Sequence, residues 1–164
     1  MVEGQTQNME LNDIEGDTFG LFVHWLYTQE AEHANEGQMK TLALVKLWNL
    51  GQRFIIPQLQ NKAMSLLLRN KKLHLEMGPV CRLAFGAIEP TPIQRYIINC
   101  LVSCSFSEFN KGNKELLGAT LMNCFMVGKD MAKEFVTALV EKRLIGGVAK
   151  LPGIDDLADY LVSE

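Results

Sequence analysis

The chain has 164 residues, of which 48% are hydrophobic and 21% charged, enough apolar material to bury a core and to exclude wholesale disorder. A net charge of −3 argues against general nucleic-acid binding, and four cysteines in a chain of this length do not make a disulfide scaffold. No apolar run approaches the ~18 residues of a membrane span, and the first residues lack the basic-then-apolar order of a signal peptide, so cytoplasm or nucleus is the expected location.

The charges are unevenly spread. Residues 1–39 hold eight acids and no Lys or Arg, whereas residues 40–75 hold seven bases (Lys40, Lys46, Arg53, Lys62, Arg69, Lys71 and Lys72) and no acid. Adjacent segments of opposite sign can attract each other in the fold or face different partners.

Gln7 to Leu11 alternates polar and apolar residues, the period of a short half-buried strand. Asp17 then places an acid where a helix begins, and Phe19, Phe22, Val23 and Leu26 follow at i, i+3, i+4 and i+7. That spacing predicts a helix from Asp17 to about Thr28 with these four residues in the core. A second helix is predicted from about Gln38 to Phe54, with Leu44, Leu47, Trp48 and Leu50 as its apolar side. Gly51 inside it costs about 1 kcal/mol relative to Ala, which predicts a close approach by another backbone. Pro57 suits the start of a third helix, carrying Leu59 and Ala63 to about Asn70.

Further on, Pro79 opens a short helix, and the turn Glu89-Pro-Thr-Pro92 precedes a helix whose face carries Ile93, Ile97, Cys100, Leu101 and Cys104. Leu116, Leu117, Leu121 and Phe125 predict another helix, and Lys129 to Ile145 a long one carrying Phe135, Val136, Leu139 and Val140. Gly146 and Gly147 stop it. Residues 146–164 read as an acidic tail with a short helix near Asp155–Val162. The fold class is therefore mainly α, about eight helices with at most a remnant strand.

Chemistry-bearing motifs are sparse. The sequence lacks the glycine-rich dinucleotide and phosphate loops, the zinc-protease His pair and the nucleophile elbow. Cys100 and Cys104 lie one helical turn apart but have no second ligand pair, and they read as core together with Cys81 and Cys124. His24 reads as packing or surface, and Trp25 and Trp48 as core. The one-turn run Arg69 to Lys72 lacks the interleaved aromatics of a nucleic-acid surface. No catalytic residue, cofactor, metal, small-molecule substrate or membrane contact is expected.

Two segments resemble a known family. Asp17-Thr-Phe-Gly-Leu-Phe-Val-His-Trp-Leu-Tyr-Thr28, preceded by Met9-Glu-Leu-Asn-Asp13, resembles the second half of a BTB/POZ domain. Leu47 to Met64, with Gly51, Phe54 and Pro57, matches the following helix pair, most closely in fungal BTB proteins with a helical extension. The resemblance implies a partial BTB/POZ domain at 1–75 and a helical extension at 76–145, before the tail at 146–164. The strand hairpin and helices that normally open such a domain, and carry much of its dimer surface, have no counterpart here. Either the gene model is truncated or the chain is a degenerate relative.

What the resemblance implies is a non-catalytic protein-interaction module. A substrate adaptor for a cullin-based ubiquitin ligase is one role, and self-association is another way of binding. The alternative is a transcription-associated regulator using the basic 40–75 segment. Tyr27, which closes the first helix with a polar tip, and His24 are the candidate partner contacts carried over. The missing half also predicts an exposed apolar patch near the N-terminus, with marginal stability or self-association as its consequence.

Overall fold

The computed structural model describes residues 14–31, 40–70, 77–85, 91–110, 114–144 and 152–163. These residues are mainly helical and include no strand; the expected strand Gln7–Leu11 lies outside them. In chain order the helices are α1 (Gly16–Thr28), α2 (Thr41–Arg53), α3 (Pro57–Arg69), α4 (Met77–Ala84), α5 (Pro92–Asn110), α6 (Lys114–Val127) and α7 (Lys129–Leu144). A 3-10 helix, Ile154–Tyr160, follows. Among the described residues no helix is long and apolar enough to cross a membrane.

Helix α1 has the expected acid, Asp17, in its first turn. It stops at Gln29, whose left-handed backbone donates an N–H to the Trp25 carbonyl at 2.7 Å. Its core face consists of Thr18, Phe22 and Trp25. This corrects the expected register, because Phe19 is 38% exposed and Leu26 47% exposed. The physical reason is that α1 is apolar nearly all the way round, so two candidate faces compete and periodicity cannot choose between them. The other seven residues of the expected core hold better: Val23 is partly buried, and Phe22, Leu47, Trp48, Leu50, Leu59 and Ala63 are buried in one cluster.

Helices α2 and α3 form a close hairpin, and Gly51 lies where they meet. A Cβ added there would fall 2.7 Å from Gln60 Cγ and 3.1 Å from the Gln60 backbone nitrogen. The close approach expected at Gly51 is real, and it comes from α3. Pro57 occupies the first turn of α3, where its missing N–H costs nothing.

Helix α5 is central, touching α4, α6, α7 and the 3-10 helix. Ile93, Tyr96, Ile97, Ile98, Cys100, Leu101 and Val102 are all buried along it. Its start is a reciprocal cap between Thr91 and Gln94, with side chain to backbone N–H bonds of 2.8 and 3.4 Å. Gln94 also donates to the Ala84 carbonyl at 3.0 Å, tying down the end of α4.

On α7 the buried residues are Met131, Ala132 and Phe135, whereas Val136 and Val140 are 41% and 49% exposed, a second correction to the expected apolar side. Cys124 of α6 is buried; the side chains of Leu116, Leu117, Leu121 and Phe125 lie outside the described ones. Cys81 and Cys100 are buried too, Cys104 is partly so, and all four cysteines are free thiols. Of the expected acidic tail, residues 152–163 are described, and their 3-10 helix lies on α3 and α5 with Tyr160 buried.

Candidate interaction surface

The surface begins with what the core leaves over on α1. Once Thr18, Phe22 and Trp25 turn inward, Phe19, Val23, Leu26 and Tyr27 occupy successive turns of the outer side. Tyr27 is 87% exposed, so its ring and hydroxyl are both available to a partner. His24, the other residue singled out from sequence, is partly buried one turn earlier, and its carbonyl accepts the Thr28 hydroxyl at 2.8 Å. Tyr27 is therefore the better placed of the two.

Ile55 belongs with this description, and sequence reasoning missed it. It sits between α2 and α3 with φ at 56°, a left-handed conformation that a β-branched residue adopts at a cost of about 1–2 kcal/mol. Its N–H donates to the Gln52 carbonyl at 3.2 Å, and the next N–H, of Ile56, reaches the Gly51 carbonyl at 2.8 Å. The turn thus ends α2 in the way a glycine normally would. The side chain is 85% exposed and finds no compensating burial. Its neighbour Phe54 stacks on Phe22 of α1, rings 5.2 Å apart and nearly parallel, which ties this turn to α1. Ile55→Gly is expected to raise stability by about 1 kcal/mol, read as a higher unfolding midpoint.

A cleft of about 370 Å³ lies beside the start of α1, lined by Ile14, Glu15, Thr18, Lys46, Asn49, Leu50, Arg53 and Leu83. Lys46 forms an ion pair with Glu15, joining the basic α2 to the acidic α1. This is one instance of attraction between the oppositely charged segments, one of the two arrangements their charges allow. Glu15 is largely exposed, so the pair contributes little stability. Asn49 donates to the Leu83 carbonyl at 3.4 Å and closes the far wall of the cleft against α4. Arg53 lies with its guanidinium 6.0 Å from the centre of the Phe54 ring. The cleft thus combines two cations, one carboxylate and an apolar floor. Among the described residues no group of three or more His, Cys, Asp or Glu side chains is arranged to hold a metal ion. No family model, curated protein or solved structure matches this chain.

Proposed function

We propose that this chain is a non-catalytic protein–protein interaction module of BTB type, working in cytoplasm or nucleus, with the outer side of α1 as its contact surface. The observation that carries this reading is the exposed set Phe19, Leu26 and Tyr27 on one helix whose opposite face is buried. Aromatic and aliphatic residues left in solvent on a rigid helix are the usual anchors of a protein interface. Ile55, held outward at a backbone cost, supports the same reading. The resemblance of residues 17–28 and 47–64 to BTB helices is the support for a BTB type and for the adaptor role in a cullin-based ubiquitin ligase.

The transcription-associated alternative is weaker, because the basic run Arg69 to Lys72 lacks the interleaved aromatics of a nucleic-acid surface. A pull-down of the full chain with a cullin N-terminal region tests the adaptor role. Retention that is lost in Leu26→Asp supports it, and no retention removes that role while leaving the interaction module. Duplex DNA binding that weakens steeply with salt would instead favour the alternative.

A further inference from the structure

Residues 152–163 lie on α3 and α5, and side chains of those two helices bond to the segment. Asn61 of α3 makes two bonds to the backbone of one residue: its Oδ1 accepts the Val162 N–H at 2.8 Å, and its Nδ2 donates to the Val162 carbonyl at 3.1 Å. A side-chain amide bonded this way reads extended backbone as a neighbouring strand would, whatever the side chain. Asn99 of α5 donates to the Tyr160 hydroxyl at 2.8 Å, and the Tyr96 ring meets that of Tyr160 edge-on at 5.8 Å. Arg95 donates to the Asp159 carbonyl at 3.1 Å.

The charges match as well. The charged residues of α3 are Lys62 and Arg69, and that of α5 as far as Ser105 is Arg95, whereas the docked segment carries Asp155, Asp156 and Asp159. The segment itself contributes one buried side chain, Tyr160, packs Leu157 and Val162 partly buried against the core, and leaves Ile154 and Leu161 over 40% exposed. A single short 3-10 helix does not persist by itself, so its order depends on these few contacts. Such an element belongs among the parts of a fold that open first.

We infer that the groove between α3 and α5 is a peptide-docking site for an acidic segment carrying a tyrosine with extended backbone two residues beyond it. Residues 152–163 occupy it in cis as a self-ligand, and a partner bearing such a segment enters by displacing them. The tethered occupant competes at roughly millimolar effective concentration, so partners with weaker segments are excluded.

The test uses the full chain and a fluorescent peptide with the sequence of residues 152–163, followed by anisotropy. Wild type should bind the peptide weakly, and Tyr160→Ala, which loosens the cis occupant, should bind it at least about tenfold more tightly. Adding Asn61→Ala to that variant should abolish binding. Equal affinity of wild type and Tyr160→Ala, or binding indifferent to Asn61→Ala, overturns the proposal. Should Tyr160→Ala fail to fold, hydrogen exchange of the wild type decides. Amides of Asp156 and Val162 exchanging at least about a hundredfold faster than those of α5 support a displaceable occupant. Exchange in step with α5 makes the segment an integral part of the core and overturns it.

Discussion

Leu47→Ala is expected to cost about 2–5 kcal/mol, and Leu26→Ala no more than about 1 kcal/mol, when both are measured by denaturant unfolding. Leu47 is fully buried between α2 and its neighbours, so truncation removes its transfer free energy and leaves a cavity that close packing cannot collapse. Leu26 already has nearly half its surface in water, and removing it opens no closed void. The contrast matters because the i, i+3, i+4, i+7 pattern of α1 assigns Leu26 to the core. A large loss at Leu26 would restore that register and take away the proposed contact surface.

The second large effect is alkaline. Burial pushes the thiols of Cys81 and Cys100 up to about 12 and that of Cys124 up to about 11, from an ordinary 9.0. The neighbouring Cys124 thiol adds to the rise at Cys81, while a hydrogen bond with Tyr96 works against the rise at Cys100. Tyr96 and Tyr160 are raised too, again chiefly by burial. A raised folded-state pKa means that all the stability these groups contribute is present below pH 9. Above it the unfolded chain releases protons that the folded chain retains, and stability falls as pH approaches 11–12. Three thiols give a slope of at most about 4 kcal/mol per pH unit, large against a typical total of about 5–15 kcal/mol. Denaturant unfolding at pH 8, 9.5 and 10.5 should show this decline, and Cys81→Ala should flatten it by about a third. Stability unchanged up to pH 10.5 would mean that these thiols are hydrated in the native state.

How much of this was readable from the chain depended on how local each determinant is. Gly51, Pro57 and the helix start after Thr91 announce themselves within a few residues, through backbone freedom, a missing N–H or a fixed φ. The positions of the helices followed from such signals. Which face of α1 is buried did not, since Phe19, Phe22, Val23, Trp25, Leu26 and Tyr27 surround the helix and its packing on α2 and Phe54 selects Thr18, Phe22 and Trp25. On α7, likewise, Val136 and Val140 share the apolar pattern but Met131, Ala132 and Phe135 meet the core. The docking of residues 152–163 was hidden for a different reason. Asn61 meets Val162 across 101 positions and Asn99 meets Tyr160 across 61, and no local pattern marks an asparagine as half of such a pair. Ile55 was missed because nothing in a β-branched residue advertises a left-handed backbone.

That the outer side of α1 is where this chain meets other proteins is tested most directly by photo-crosslinking from Tyr27. Benzoylphenylalanine placed at Tyr27 of the full chain would be irradiated with a cullin N-terminal region, and separately with the chain alone at rising concentration. The same label at the exposed Lys129 serves as control. The expected result is a covalent adduct from position 27, to the cullin region or to a second copy, that is lost in Leu26→Asp and not formed from position 129. No adduct from position 27 in either mixture, or equal yields from both positions, would contradict it.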